Sequence, residues 1–154
     1  MKIHTTFMFL LAAALLCLGS LQAGDSSGQS QQERNKETVI AFYNAAINDK
    51  DFEAASKYLG DKYIQHNPLA ADGPEGLKTF IEFAKVNMSE FKVEFKRVLV
   101  DGDFVVVHSH AKANPADRGS AVMDIFRLEN GKVVEHWDVM QAIPETAMNQ
   151  NGMF

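Results

Sequence analysis

The sequence contains one cysteine in 154 residues, Cys17, and this scarcity limits the chemistry open to the protein. A single cysteine cannot form an intramolecular disulfide, and it excludes a zinc centre built from several thiolates. Cys17 also lies in an N-terminal apolar segment that we expect to be removed. The mature chain would then have no thiolate nucleophile and no thiolate metal ligand.

Positive charge is also scarce, since 15 lysines and arginines stand against 20 acidic residues, for a formal net charge of −5. An acidic surface of this kind gives no reason to expect nucleic-acid binding. The longest apolar run, residues 7–18, follows a weakly basic start and precedes a small residue, Ala23. This layout predicts a signal peptide over residues 1–23, export to the periplasm or the extracellular space, and no stable membrane insertion after cleavage. A retained membrane anchor is the alternative.

Residues 24–32 are rich in glycine, serine and glutamine and predict a flexible leader. Residues 33–154 are then one domain, long enough to bury a core of its own. Ser30 and Glu33 form a capping box, and apolar residues recur at helical spacing in three segments before residue 88. Alternating segments follow, with long strands predicted over residues 104–112, 120–128 and 132–141. Helices followed by consecutive strands predict an α+β fold, with the helices on one face of a curved antiparallel sheet.

The turn between the last two strands decides which residue lies opposite Asp124. A two-residue loop at Asn130-Gly131 would place Asp124 opposite Trp137. A three-residue loop, with Gly131 in the left-handed conformation, would pair Leu128 with Lys132 and place Asp124 opposite His136. We favour the three-residue loop, because it leaves a charged residue at an exposed turn position.

An acid and an imidazole among apolar neighbours form a pair suited to proton transfer. In the favoured register Asp124, Phe126, His136 and Asp138 share the inner face, whereas Ile125 and Trp137 share the outer face. The other histidines of the mature chain are candidates of different strength. His66 precedes Asn67 at the end of an extended stretch, whereas His108 and His110 share one face of a strand and leave pocket and surface roles open. Histidine and aspartate could bind a metal, but the spacing matches no tight motif, so we expect neither metal nor cofactor.

Three stretches carry a resemblance to a known family: "YIQHNPLAADGPEGL" (residues 63–77), "NPADRG" (114–119) and "MDIFRLENGKVVEHWDVMQ" (123–141). They resemble the SnoaL-like polyketide cyclases, in the branch predicted to catalyse aldol condensation, within the nuclear-transport-factor-two-like superfamily. The resemblance implies a cone made of a bent antiparallel sheet over three helices, with one deep and mostly apolar pocket. It also implies an aldol-type lyase or isomerase that removes a proton next to a carbonyl without metal or cofactor. This chain departs from such cyclases in its expected export.

The resemblance and the residue pattern together give a set of candidate roles. Asp124 would be the general base, His136 would hold or protonate it, and His66 with Asn67 would stabilise negative charge on oxygen. The expected substrate-binding residues are Asn67, His108, His110, Phe126, Asp138 and Tyr43. The partner would be a small molecule, and we expect a homodimer formed through the sheet. A binding protein with the same pocket and a partner-binding domain are the alternatives.

Overall fold

The computed structural model describes residues 30–154, so the predicted signal segment and most of the predicted leader lie outside the described residues. Three α-helices precede most of a five-stranded sheet. The helices are α1 (Gln31–Tyr43), α2 (Phe52–Ser56) and α3 (Gly73–Asn87). The strands are β1 (Leu59–Gln65), β2 (Lys92–Asp101), β3 (Phe104–Lys112), β4 (Ser120–Glu129) and β5 (Lys132–Ala142).

The first helix begins where the sequence predicts. The Ser30 hydroxyl oxygen accepts a hydrogen bond from the Glu33 backbone N–H at 3.2 Å, which confirms the predicted cap. After Tyr43 the helix widens into a π-helical segment, Asn44–Asn48, before it ends. Such segments replace the usual hydrogen-bond spacing by a wider one and are frequent at functional sites. Tyr43 is therefore the last residue before a local change in the helix, and its side chain points into the fold.

The sheet has the strand order β1-β5-β4-β3-β2 and is curved without closing. The predicted α+β architecture is confirmed. One detail differs from the prediction, since β1 pairs with β5 in parallel and the sheet is therefore not wholly antiparallel. Gly60 allows β1 to lie close to β5, because a Cβ atom there would be 2.6 Å from Val134 Cγ1.

The predicted three-residue hairpin loop is wrong. Glu129 pairs with Lys132, and both residues between them, Asn130 and Gly131, have positive φ angles of 51° and 73°. This is the two-residue turn that Asn-Gly favours, because its backbone twist matches that of the strands.

A bulge next to this turn changes the register a second time. Leu128 pairs with Val133 but Arg127 pairs with Glu135, so Val134 is an extra residue in β5. Asp124 consequently pairs with Asp138, and the predicted direct pairing with His136 is wrong by two residues. A shift of two residues keeps every side chain on its face, so the predicted inner and outer faces are nevertheless correct.

The core lies between the helices and the inner face of the sheet. Phe42 of α1 packs edge-to-face on Phe126 of β4, with ring centroids 5.9 Å apart. Val39, Ile81 and Val107 are among the fully buried residues around them. The two layers separate beyond this contact and leave a cavity. No helix within residues 30–154 is long and apolar enough to cross a bilayer.

Candidate functional site

The cavity has a volume of about 390 Å³, within the size range of small-molecule sites. Most of its wall is apolar and comes from the helices, from the segment after β1 and from the inner face of the sheet. Its polar residues share one region of the wall: Tyr43, Tyr63, Gln65, Asn67, Asp124, His136 and Asp138. The described lining contains no lysine or arginine.

Asp124 and His136 form a buried hydrogen-bonded pair, although they are not direct cross-strand partners. Asp124 Oδ1 lies 3.1 Å from His136 Nε2, and the two residues are only 2% and 8% exposed. The second oxygen of Asp124 accepts a hydrogen bond from the Tyr43 hydroxyl at 3.2 Å. Burial raises the pKa of Asp124, and the charge of Asp138 adds to this, whereas hydrogen bonds from His136 and Tyr43 act in the opposite direction. The predicted proximity of acid and imidazole is therefore present, by a diagonal contact.

Gln65 fixes the other side of the His136 ring. Its Oε1 atom lies 3.1 Å from His136 Nδ1 and also accepts a hydrogen bond from the Asn67 backbone N–H at 2.9 Å. Gln65 was not among the predicted site residues, because β1 was not expected beside β5. The usable signal was the alternation in Gln65-His66-Asn67, which puts Gln65 and Asn67 on one face.

Asp138 is held by Asn67. The side-chain N–H₂ of Asn67 lies 2.8 Å from each carboxylate oxygen of Asp138. The Asn67 side-chain oxygen accepts from the Leu69 backbone N–H at 2.8 Å, which fixes the orientation of the amide. Both residues line the cavity, where the sequence analysis placed them.

Phe126 and Tyr43 also lie where the sequence analysis placed them, in the cavity wall. The Phe126 ring stacks on the His136 imidazole, with centroids 4.6 Å apart. Tyr43 packs edge-to-face on Phe126 at 5.7 Å, so the aromatic rings restrict the position of the imidazole. Burial, followed by the charge of Asp124, raises the pKa of Tyr43 well above its ordinary value, so its hydroxyl stays protonated and acts as a donor.

The structure does not bring His66 to the cavity, so its predicted position beside a substrate oxygen is wrong. Its ring stacks on Trp137 with centroids 4.7 Å apart, and its Nε2 atom lies 2.9 Å from Glu135 Oε1. Both contacts are on the outer face of the sheet, and 41% of the side chain is exposed. The reason is strand alternation, because Gln65 and Asn67 on either side point inward.

His108 and His110 share one face of β3 as predicted, but it is the outer face, so their predicted contact with a substrate in the cavity is wrong. The buried residues of this strand are Val105, Val107 and Ser109, which alternate with the histidines. His108 Nδ1 accepts a hydrogen bond from Arg97 at 3.0 Å, and His110 Nε2 donates to the Arg118 carbonyl oxygen at 2.8 Å.

Asp124, His136 and Asp138 are also the residues that could hold a metal ion. Their donor atoms lie within 4.8 Å of one another, and one nitrogen with two carboxylate oxygens suits several divalent ions. In the present geometry the donor atoms of Asp124 and His136 contact each other directly and satisfy each other without an ion. The expectation of no metal stays a prediction.

The fold is similar to several solved structures at low sequence identity. The protein Bal32a from a soil-derived mobile gene cassette is 21% identical with a TM-score of 0.63, and 72% of this chain aligns with 92% of that one. A candidate polyketide cyclase from Bacillus cereus ATCC 10987 is 24% identical with a TM-score of 0.60, covering 73% and 78% of the two chains. An LEH-like epoxide hydrolase from M. tuberculosis is 21% identical with a TM-score of 0.61, covering 73% and 86%. At these identities the likeness shows the fold alone.

The sequence itself matches one described domain family. No curated protein sequence matches the chain. The SnoaL-like domain family matches residues 39–136, which extend from α1 to the histidine of the buried pair. The match covers more than half of the chain and confirms the resemblance of the three sequence stretches, so this chain belongs to the SnoaL-like domain family.

Proposed function

We propose that this protein is a lyase or isomerase that acts on a small hydrophobic carbonyl compound. It removes a proton from the carbon next to the carbonyl group and needs no cofactor. The observation that carries the proposal is the buried Asp124–His136 pair, which lies in the wall of an otherwise mostly apolar cavity. A carboxyl group and an imidazole in contact can take a proton from carbon and supply one to oxygen. Families of this fold include cyclases, isomerases and hydrolases, which is compatible with such chemistry.

In the proposed step Asp124 begins as a carboxylate and His136 as an imidazolium. Asp124 takes the proton from the carbon next to the carbonyl, and the electron pair of that C–H bond moves to form the enol. His136 gives its Nε2 proton to the carbonyl oxygen, so the pair ends as carboxylic acid and neutral imidazole. The number of protons on the pair does not change, and no separated charge has to be created in the apolar cavity. The enol can then be reprotonated at another carbon or react with a second carbonyl.

The cavity favours a neutral substrate. Asp124 and Asp138 both line it, whereas its described lining contains no lysine or arginine to pair with a carboxylate or phosphate of a ligand. An anionic ligand would therefore be buried near two acidic groups, and the one cation of the proposed step, the His136 imidazolium, is already paired with Asp124. We propose a small, uncharged ketone or aldehyde whose hydrocarbon part packs on the apolar wall.

The test is hydrogen–deuterium exchange at carbon. A chain beginning at Gly24 is incubated in D₂O with a set of small cyclic, aliphatic and aromatic ketones, and ¹H NMR follows the α-protons. Asp124→Asn keeps the shape of the side chain and should lower the enzyme-dependent exchange by about 10²–10⁴-fold. Asp61→Asn, on an exposed carboxylate of β1, is the matched control and should exchange like the wild type.

The outcomes separate the two functions that the cavity allows. Exchange that persists in Asp124→Asn at the wild-type rate would overturn the role of Asp124. Ketones that bind without any exchange would instead favour a non-catalytic binding protein with the same cavity, in which the polar groups orient the ligand.

We further propose that the protein is exported and forms a homodimer through the outer face of its sheet. The N-terminal pattern of the sequence supports export, with cleavage after Ala23. The full-length chain is expressed and the intact mass of the exported protein is measured, because a cleaved product would begin at Gly24. Exposed apolar side chains on the outer face support the dimer, among them Leu99 and Val139.

A further inference from the structure

We propose that Gln65 is a positioning residue, which selects the Nδ1-protonated tautomer of His136 and thereby keeps one proton shared between His136 and Asp124. The inference rests on the proposed function, because it concerns the same Asp124–His136 pair. Its test, however, needs no substrate. It follows from which atoms can donate and which can accept hydrogen bonds at three neighbouring side chains.

The hydrogen-bond partners of the Gln65 amide fix its orientation. A backbone N–H can only donate, so the atom that lies 2.9 Å from the Asn67 backbone nitrogen has to be the side-chain oxygen of Gln65. The Gln65 nitrogen then faces the Tyr63 hydroxyl at 3.3 Å, where it donates. Turning the amide over would place two donors against each other at Asn67. The oxygen of Gln65 is therefore the atom that faces His136.

The orientation of the Gln65 amide determines which nitrogen of His136 is protonated. Its Nδ1 atom lies 3.1 Å from the Gln65 oxygen, which can only accept, so Nδ1 carries a proton. In a neutral imidazole the other nitrogen, Nε2, then has a lone pair and no proton. That lone pair would point at Asp124 Oδ1, 3.1 Å away.

The contact between Asp124 and His136 then requires a proton between the two groups. An ionised Asp124 facing a lone pair on Nε2 would leave two buried acceptors in contact with no hydrogen between them, which is unfavourable. Either Asp124 is protonated and donates to His136, or His136 is an imidazolium and donates to Asp124. In both descriptions the pair holds one proton more than an ionised aspartate beside a neutral histidine.

Among the groups around the pair, the charge of Asp138 favours the bound proton, whereas the hydrogen bond from Tyr43 opposes it. Tyr43 from α1 donates to the other oxygen of Asp124, Tyr63 from β1 contacts Gln65, and Asp138 from β5 adds negative charge on the same face. No lysine or arginine in the described lining offers a fixed positive charge in place of the shared proton. Burial also raises the pKa of Asp124, which favours a bound proton.

The selected tautomer decides whether the pair has a proton to give. With hydrogen on Nε2 alone, His136 would donate to an ionised Asp124 and could release that proton only as an imidazolate. With hydrogen on Nδ1, the proton between the two groups can move to a substrate oxygen and leave a neutral imidazole. Gln65 therefore allows the pair to act as an acid, although Gln65 itself need not contact the reacting atoms.

The experiment is NMR of the chain from Gly24 with ¹⁵N-labelled histidine, in which long-range correlations between ring protons and nitrogens report which nitrogen is protonated. His136→Gln identifies the His136 signals by their loss. In the wild type we expect Nδ1 of His136 to stay protonated from about pH 5 to 8, the range in which an ordinary histidine loses its charge. A wild-type His136 protonated only on Nε2 would overturn the inference.

Two variants test Gln65 directly. Gln65→Met removes the acceptor at similar size, and we expect loss of the Nδ1 proton and a change to the Nε2 tautomer. Gln65→Glu keeps an acceptor at the same place and should retain the Nδ1 proton, while Gln141→Met, at an exposed glutamine of β5, should leave the spectrum unchanged. A Gln65→Met variant that keeps the wild-type tautomer would remove the role of Gln65.

These outcomes are independent of turnover. If Gln65→Met fails to fold, the wild-type and Gln65→Glu spectra still decide whether Nδ1 is protonated. A protein that exchanges no ketone protons but shows the protonated Nδ1 would retain this inference and lose the proposed reaction. The opposite result, exchange with an Nε2 tautomer, would retain the reaction and lose the inference.

Discussion

The backbone N–H of His66 donates to the backbone oxygen of His136 at 2.9 Å, yet the two imidazoles lie on opposite faces of the sheet. Side chains alternate along both strands, so one pair of neighbouring strands builds two separate environments. Inside the sheet, Gln65 and His136 belong to the cavity. Outside it, the His66 ring lies on Trp137 and beside Glu135, whose carboxylate also contacts Arg127 at 2.7 Å.

The outer position of His66 predicts that its ring matters for stability and not for proton transfer. In His66→Ala we expect the free energy of unfolding to fall by about 1 kcal/mol, because a surface ion pair and an aromatic stack are each worth roughly that or less. The ketone exchange rate should stay close to the wild type. Urea unfolding and the exchange assay measure both quantities.

His136→Gln is the matched comparison, since it removes the imidazole on the other face of the same strand pair. This variant should lower exchange by about 10²–10⁴-fold. The separation of faces would be contradicted if His66→Ala reduced exchange as strongly as His136→Gln while unfolding at the same urea concentration as the wild type.

Tyr43 predicts a shift of the pH dependence with a definite sign. Its hydroxyl donates to Asp124, and this hydrogen bond lowers the pKa of the carboxyl group, against the larger effect of burial. Tyr43→Phe removes the donor, so the pKa of Asp124 should rise and the acid limb of the pH–rate profile should move to higher pH. The lost hydrogen bond should also reduce stability by about 1–3 kcal/mol.

Exchange rates measured across the acid range, together with urea unfolding, test the Tyr43 prediction. Tyr58→Phe is the control, because Tyr58 does not line the cavity and is not among the groups that act on Asp124. An acid limb that does not move in Tyr43→Phe would mean that the hydroxyl has no influence on the titrating group.

The elements of this fold could be predicted because their signals are local. The Ser30 cap and the alternation in the last strands each depend on a few neighbouring residues. The faces of β4 and β5 were correct even though the register was not, because the predicted loop and the actual turn plus bulge differ by two residues. An odd difference would have moved Asp124 to the outer face.

The missed parts of the site depend on contacts that are distant in sequence. Nothing local in β1 indicates that it pairs with β5 in parallel, and without that pairing Gln65 has no partner. In β3 both faces carry valine, so alternation groups His108 with His110 but cannot decide whether Val105 or Val106 faces the helices. Packing against α1 decides it, and the histidines lie outside.

Asp124 also predicts how stability depends on pH. Burial raises its pKa above the ordinary value of 3.8, so the folded protein holds that proton more tightly than the unfolded chain. The contribution of Asp124 to stability is therefore complete below pH 3.8 and is lost as the pH rises through the pKa of the folded state. The difference in unfolding free energy between wild type and Asp124→Asn should fall over that range.

Glu135 provides a comparison of opposite sign. Its hydrogen bond with His66, followed by that with Arg127, lowers its pKa below the ordinary value of 4.5. Its contribution is present above pH 4.5 and is lost as the pH falls through the pKa of the folded state. Urea unfolding of Asp124→Asn and Glu135→Gln at several pH values should give opposite trends, and parallel trends would contradict the assigned environments.

The outer face of the sheet predicts how copies of the chain associate. Leu99, Phe104, Ile125 and Val139 are between 37% and 69% exposed there, and Ile125 pairs with Trp137 across β4 and β5. Contiguous apolar surface of this kind marks association sites, and a two-fold dimer would bury it against its own copy. Ile125→Glu should raise the dimer dissociation constant at least about tenfold, because it places a charge near the centre of the contact.

Phe83→Glu is the matched control, since Phe83 is 55% exposed on α3, away from the sheet. Sedimentation velocity over a range of concentrations measures the constant. A wild type that remains a monomer, or an Ile125→Glu variant that associates like Phe83→Glu, would place any contact between copies elsewhere.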